Sequence, residues 1–377
     1  MEITTHQNTD LWQFNLDVIH RKTKKVIWQP RIQCWYDDKV SVGEDLPGKY
    51  KGMTPVELYK ALGVSNRCYM YCECFRQIHD PRVSFERKVL SPVETLHIMH
   101  TPKGDLTQIY RTNTSNSGSY PSKWWITDED EMKIHQWVLE NSTWEWDQEA
   151  YVRLVKEWGF AGAPTAFFPR VNMQYLFHDV MGPEEGIFAV YDYPETVDKY
   201  FAALSEHQDR MAEVWNNSPI EIVNFGDNIH DGVLSPALFE KYVLPEYQHR
   251  NDLFHSHGKW TNAHWDGDVK SILKYVRATG LDGVEAVTPL PQGDVTLQEV
   301  KAAFGDDIFL MDGIAALLFD PNLYPIEALE AQVNECLELF GGQLIMGISD
   351  EIASTGDIER VVHVRDMVDE YNSHIVE

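Results

Sequence analysis

Between Glu221 and Asp350 the chain repeats one phrase, a short apolar run that ends in a polar residue and then gives way to a helical stretch. Five endings follow one another: IVNFGDN at Asp227 and Asn228, WTNAHWD at His264 and Asp266, GVEAVTP around Glu285, FLMDG at Asp312, and LIMGISDE at Ser349, Asp350 and Glu351. A parallel barrel gathers the C-terminal ends of all its strands at one mouth, where its chemistry sits. The spacing therefore predicts that these residues, scattered in sequence, share one cavity.

The same beat extends upstream. Residues 25–35 (KVIWQPRIQCW) read as a first strand, and 54–63 as a helix with Thr54 as N-cap, Pro55 in the first turn and Gly63 as the stop. CYMYCECF (68–75) reads as a second strand, 161–168 as a third and 220–226 as a fourth. Strands five to eight fall at 259–266, 283–289, 308–314 and 344–349. Helices are expected at 193–215, from Ser235-Pro236 to about residue 257, and from about Asp357. An interruption after the second strand, about residues 85–145, contains a hairpin (91–112) turning at Lys103-Gly104, a low-complexity loop (114–122) and a helix at 128–141, with a further helix at 146–158 behind it. It is too small for a core of its own and reads as an insertion in one domain spanning 1–377. Eight strands alternating with helices predict a closed (β/α)8 barrel of the α/β class. The rival, an open doubly wound sheet, wants a glycine-rich phosphate loop, and the sequence has neither GxGxxG nor a Walker motif.

Composition limits the partners. Acidic residues outnumber basic ones 59 to 32, a net charge of −27, which repels nucleic-acid phosphates and anionic lipid heads. No apolar run approaches membrane-spanning length, and the first ten residues lack a signal pattern, so a cytoplasmic location is expected. Cys68, Cys72 and Cys74 lack a second pair or a nearby His at zinc-finger spacing. They and the lone Cys34 and Cys336 read as reduced thiols, with Cys72 and Cys74 on one side of a strand.

His264 and Asp266 are two apart on a strand and leave its same face. Glu285 sits on the next strand, about 4.8 Å away, so the three converge. They suit a cation such as zinc, and equally suit proton transfer, because crowded carboxylates split into an acid and a base. The plainer alternative makes His264 a core histidine, Asp266 a cap for a helix near Asp268 and Glu285 the partner of a lysine. Asp227 is a further catalytic candidate. Asn228 and His230 are candidates for substrate contact, while Asp227-Asn228 and Asp312-Gly313 also suit turns. Asp350 joins the candidate ligands, or with Glu351 serves as a helix N-terminal acid. Arg31 in the first strand either clamps a carboxylate or phosphate or partners one of these acids. Trp28, Trp35, Tyr36, Phe167, Phe168 and Trp265 cluster at strands, where those that face the mouth offer stacking for a flat ligand.

These stretches resemble the uroporphyrinogen decarboxylase superfamily. The resemblance lies in FGDNIHDGVLSPALFEKYVLPEY, GKWTNAHWDGDVKSILKYVRATGLDGVEAVTP, LQEVKAAFGDDIFLMDGI and FGGQLIMGISDEI, and more weakly in ETLHIMHTPKGDLTQIYR and the first strand. It implies a (β/α)8 barrel with the site in its mouth. In the decarboxylase branch, paired arginines near the first strand, an aspartate beyond the second and a late histidine act on a porphyrinogen without a cofactor. Here Arg31 matches the first arginine, Trp35 or Tyr36 stands near the second, the second strand ends Glu73-Cys74-Phe75, and MGISDEI has no histidine. The corrinoid-linked methyltransferase branch binds zinc through a His-x-Cys pair and a late Cys. His264 matches that histidine, Asp266 replaces the first cysteine, and Ser349 or Asp350 replaces the second. A related methionine synthase barrel adds a glutamate where Glu285 stands.

An oxygen-rich site suits an oxygen-bearing substrate better than a thiol. The resemblance thus implies methyl transfer from a small methoxylated, aromatic donor to cob(I)alamin carried by a separate corrinoid protein, with zinc as the metal. Asp227, His264, Asp266, Glu285 and Arg31 are the expected catalytic residues, and His264, Asp266, Glu285 and Asp350 the expected ligands. Trp35, Tyr36, Phe168, Asn228, His230 and Trp265 are expected to contact substrate. The insertion either covers the mouth or makes a subunit contact, the latter giving a homodimer. The alternatives are a cofactor-free decarboxylase and a non-catalytic tetrapyrrole- or corrinoid-binding protein.

Overall fold

Short apolar runs bounded by turn residues became strands wherever a neighbour could complete their ladder. The computed structural model describes residues 10–114 and 117–376. Its strands are β1 (Ile27–Trp28), β2 (Phe75–Ile78), β3 (Ser84–Ser91), β4 (Glu94–Thr101), β5 (Gly104–Thr112), β6 (Ser119–Lys123), β7 (Thr143–Trp146), β8 (Thr165–Phe168), β9 (Ile222–Phe225), β10 (Trp260–His264), β11 (Gly283–Glu285), β12 (Phe309–Ala315) and β13 (Leu344–Ser349). Seven of them form one parallel sheet in the order β1-β13-β12-β11-β10-β9-β8. Helices follow the strands, as parallel connections require. The helix Pro55–Leu62 begins with a Thr54–Glu57 capping box and stops at left-handed Gly63, and Leu297–Phe304 begins with the equivalent Thr296–Glu299 box.

The first two expected strands are corrected. β1 has only two residues, its bonding to β13 ending where Gln29 N donates to Met346 O just before Pro30, and Trp35 lies in the helix Gln33–Ser41. CYMYCECF is a 3-10 turn, Tyr69–Cys74, so Cys72 and Cys74 do not share a strand face. The segment 64–68 instead touches both edges of the sheet. Ser65 N donates to Trp28 O (3.1 Å) beside β1, Asn66 N donates to Ala161 O (2.8 Å), and Cys68 bridges Pro164 beside β8. All five cysteines are free.

Alternation divides the sheet residues into two sets. Phe168, Phe225 and Ala263 pack with the helices in the main core, Phe168 against Trp215 and Phe254. On the other face, Ile27, Ile222, Trp260, Phe309, Met311 and Ile345 form a second cluster with Val18 and Ile19 of the helix Leu11–Ile19. This plug fills the inner face near the strand starts, leaving the polar residues at the strand ends.

The insertion is more sheet than expected. β2 pairs antiparallel with β7, and β3-β4-β5-β6 form a four-stranded antiparallel sheet around the predicted Lys103-Gly104 turn. The expected low-complexity loop is partly β6, and its residues 115–116, like the first nine residues of the chain, lie outside the described residues. Met99 and Leu106 of this sheet pack on Val138 of the helix Glu129–Glu140. Tyr110 of β5 lies within reach of the charges of Asp179 and Arg170, so the insertion approaches the sheet's C-terminal side. Among the described residues, no helix is long and apolar enough to cross a membrane.

Candidate functional site

His264 ends β10 and Glu285 ends β11, and the two are paired in register. His264 Nδ1 is 2.6 Å from Glu285 Oε1. Arg31 Nη1 also lies 3.4 Å from Nδ1. An atom that donates to the nearer carboxylate cannot also accept, so geometry puts the proton on Nδ1 and makes the Arg31 approach a mere contact. Nε2 is thereby left facing the mouth. Burial opposes charge on the imidazole, but the hydrogen bond and charge of Glu285 outweigh it, and the pKa is raised.

Glu285 is itself anchored from below. Arg67 Nη1 donates to Glu285 Oε2 (2.6 Å), and Tyr69 OH donates to the same oxygen. Arg67 Nη1 and Nη2 also grip Asp312 Oδ2 and Oδ1 at 3.1 and 2.7 Å, while Nε donates to Gln29 Oε1 at 3.0 Å. Arg67, Glu285, Asp312 and Gln29 are all buried, and Tyr69 is half-buried. Burial would push both carboxylates up. Glu285, facing Arg67, His264 and Arg31, nevertheless stays well below the usual range, and Asp312 takes the raised value of the pair. Asp312 reaches Arg67 through a left-handed backbone (φ 79°), and Gly347 beside it has no room for a Cβ. Asn224 Nδ2 donates to Tyr69 OH (3.0 Å), extending the polar column one layer down.

Above His264 the loops after β10 and β13 supply two more carboxylates. His264 Nε2 is 3.9 Å from Asp266 Oδ2 and 3.7 Å from Asp350 Oδ1. One ligand atom from each residue lies within 4.8 Å of the other two. Asp350 Oδ1 is buried, paired with Arg31 by proximity but without a well-directed hydrogen bond, and burial raises its pKa. A lone-pair nitrogen, an under-satisfied carboxylate oxygen and a second carboxylate fit a hard or borderline divalent cation. Glu285 is not in that set: its oxygens are taken by His264, Arg67 and Tyr69, so it orients a ligand instead of being one. Arg31 is the partner of acids, joined to Asp350 and, through Nη2, to Glu351 Oε1 (3.3 Å). Glu351 Oε2 in turn accepts from Cys34 N (2.7 Å) at the start of the helix Gln33–Ser41.

Several expected residues fall elsewhere. Asp227 is wholly buried, and its oxygens accept from Val171 N (2.6 Å) and Tyr247 OH (2.5 Å), so it ties the loops after β8 and β9 together. Trp35 and Trp265 are buried, with indole N–H groups bound to Gly356 O and Tyr247 OH, and Phe168 is in the helix-side core. None of these three rings is available to a ligand. The strand alternation explains Phe168, whose neighbour Phe167 faces the other way and is exposed. Tyr36 is half-buried, its OH bound to Met53 O. Asn228 sits at φ 53° and accepts from Arg170 Nη2 (3.3 Å), and His230 follows on the same loop.

Arg67, Tyr69, Arg170, His178 and Asp179 escaped the sequence reading. Arg170 pairs with Asp179 at 2.7 Å, and burial holds Asp179 up at about 6. Burial, then the charges of Arg170 and His230, lower His178 to about 4, while Asp266 opposes the shift, so this second cluster adjoins the first. Arg67 had a usable signal: it comes four residues after Gly63, the stop of the preceding helix. A strand placed at 64–68 would have put Arg67 near its C-terminal end.

Comparison with known proteins agrees with this architecture. The family model for uroporphyrinogen decarboxylase (URO-D) matches residues 155–371. Among solved structures, a methyltransferase from Methanosarcina mazei is similar over 70% of this chain and 75% of its own, with 15% identity and a TM-score of 0.50. A B12-independent methionine synthase from Shewanella aligns over 93% of this chain and 97% of its own, with 8% identity and a TM-score of 0.46. The search of curated proteins gives no match. With the family model covering more than half of its length, and with a parallel sheet whose strand ends carry the site, the chain belongs to the uroporphyrinogen decarboxylase family.

Proposed function

We propose that the chain is a methyltransferase that moves a methyl group from the oxygen of a small methoxylated donor to the cob(I)alamin of a separate corrinoid protein. The observation that carries this reading is the His264–Asp266–Asp350 group, an N/O/O set with no thiolate, whose histidine is oriented by Glu285. We read segment 64–68 as the degenerate second strand of a closed eight-stranded barrel, with this group at its mouth. The similarity to a methyltransferase fold is consistent with that reading.

The chemistry sets a specific demand. When a methyl group leaves oxygen, the C–O bonding pair stays on that oxygen, which must gain a proton or a cation as the methyl passes to the reduced corrinoid. A divalent cation such as zinc, held by His264 Nε2, Asp266 and Asp350, would supply that charge as a Lewis acid. Glu285 fixes the Nδ1–H tautomer so that Nε2 presents its lone pair, and Arg67 and Tyr69 hold Glu285 in place. Arg31 limits the negative charge collected by Asp350 and Glu351. Because Arg31 is occupied by those acids, it is poorly placed to clamp a substrate carboxylate, which disfavours the decarboxylase alternative.

Elemental analysis of chelator-free protein tests the reading, comparing wild type with His264→Ala and Glu285→Ala. About one zinc per chain, lost in the first variant and weakened about 10- to 100-fold in affinity in the second, is the expected result. Absence of metal from wild type even after zinc addition refutes the Lewis-acid version. Methylation of cob(I)alamin from a methoxylated donor, followed by its absorbance, tests the transfer itself.

A further inference from the structure

The insertion has an open edge. β3 ends the sheet β3-β4-β5-β6, and residues 84–90 are all exposed, Phe85 at 56% and Val89 at 73%. Such an edge presents unpaired N–H and C=O groups that invite a further strand. Edges of this kind are commonly guarded by charge, and β3 carries Glu86, Arg87 and Lys88. Charges of one sign would repel a second copy. Glu86 and Lys88, however, have opposite signs, share a face and are paired at 3.1 Å within the strand.

Antiparallel pairing restricts how β3 can meet another β3. Only every second residue turns its N–H and C=O toward a given neighbour. Facing residues must therefore have the same parity, and a two-fold axis passes through a residue, never between two. Leu90 is bulged out of the ladder with β4, so the regular edge ends at Val89. An axis through Glu86 or Lys88 sets that charge against its own copy and leaves Arg87 opposite Phe85 or Val89. An axis through Arg87 sets Glu86 opposite Lys88 twice and Phe85 opposite Val89 twice. Arg87 then faces its own copy, with Phe85 of the second copy at the diagonal position, within reach of its guanidinium.

Apolar packing selects the same arrangement. Phe85 pairs with Met99 of β4, and Met99 with Leu106 of β5. An apolar row thus crosses three strands on the side packed against the helix Glu129–Glu140, and stops at the open edge. Val89 of a second copy, opposite Phe85, would carry the row on. Overall charge permits the approach here: the chain's net charge is −27, yet residues 84–123 hold five basic and three acidic side chains. This sheet lacks the acid excess that keeps copies of the rest of the chain apart.

We propose that the chain forms a two-fold dimer by pairing β3 with β3 around Arg87, which joins the two four-stranded sheets into one of eight strands. A strand pair of this length buries less than about 1,200 Å², so the dimer is weak, with a Kd in the micromolar range or above. It does not depend on the proposed methyl transfer.

Sedimentation equilibrium at physiological salt, over concentrations up to the millimolar range, tests this. It compares wild type, Glu86→Lys, Lys88→Glu, an equimolar mixture of those two, and the double variant Glu86→Lys with Lys88→Glu. Each single variant sets like charges opposite one another twice, and is expected to lose at least about tenfold in dimer affinity. The mixture and the double variant restore opposite charges at both places, and are expected to recover the wild-type affinity. Circular dichroism and unfolding midpoints check the fold of each. Should a single variant not fold, Phe85→Ser, which interrupts the apolar row, takes its place with a loss of affinity expected. A wild type that stays monomeric up to millimolar concentration overturns the proposal, as does a dimer indifferent to the folded single variants. Failure of the folded mixture and double variant to recover overturns the pairing around Arg87.

Discussion

Replacing Arg67 by methionine would remove the one cation, among the described residues, that both Glu285 and Asp312 touch. The structure gives the inventory of the loss: three charge-assisted hydrogen bonds to two buried carboxylates and one to Gln29, with distances of 2.6 to 3.1 Å. Beyond the His264 imidazole, the nearest remaining permanent cation, Arg31, is 4.0 Å from Glu285 and already shared with Asp350. Breaking a buried ion pair from one side costs about 3–5 kcal/mol, because the survivor keeps its desolvation penalty without its partner. Arg67→Met is therefore expected to lose about 3–5 kcal/mol of unfolding free energy near neutral pH. The deficit has a signature. Deprived of Arg67, the carboxylates have folded-state pKa values raised above their unfolded values. Their ionisation then penalises the fold, and the penalty vanishes as pH falls below the raised values. The gap between variant and wild type should shrink from pH 7.5 to pH 5.5, by up to about 1.4 kcal/mol per pH unit for each carboxylate that takes up a proton. Urea titrations followed by tryptophan fluorescence at several pH values measure it. A loss below about 1 kcal/mol that does not vary with pH would refute the account of Arg67 as the charge on which the column depends.

Asp227→Asn should reduce stability by about 1–3 kcal/mol, since one of its two buried acceptors becomes a donor facing Val171 N or Tyr247 OH, while zinc content stays at the wild-type level. Elemental analysis and denaturation on the same preparation decide whether it is a tie or part of the metal group. Gly347→Ala would place a methyl group against Asp312 Oδ1 and Gln29 O, and should cost at least about 1–3 kcal/mol by thermal or urea unfolding. His135 and His207, which burial lowers to about 3 and 4, bind protons in the unfolded chain first. Stability should fall as pH drops from about 6.5 toward 4, and His135→Gln should flatten that slope in denaturant midpoints measured across the window.

How far the sequence carried can be read residue by residue. The strand-then-helix beat after Glu221 reappears in β9 to β13, because each run was short, apolar and closed by a cap or turn that acts locally. The convergence of His264, Asp266, Glu285 and Asp350 followed from one rule about strand ends, and the structure brings them together. The same rule overreached at Asp227, which stands at a strand end yet serves packing, and at Trp35, Phe168 and Trp265. Ring counts say nothing about which side of a strand or helix a ring occupies until register is known.

The sequence by itself determined the α/β class, the rhythm of elements and the identity of the strand-end residues, since period, caps and turn chemistry are short-range properties. Only the tertiary structure decided that 64–68 spans the gap between β1 and β8, where too few residues make ladder bonds to leave a strand's pattern. It alone turned Asp312 inward through a left-handed backbone, seated Arg67 between two acids, and joined Arg31 to Glu351 across 320 residues of chain. Those pairings are fixed by how the sheet curls. Burial then makes each of them strong, because a charge removed from water must find its partner wherever the fold has placed it.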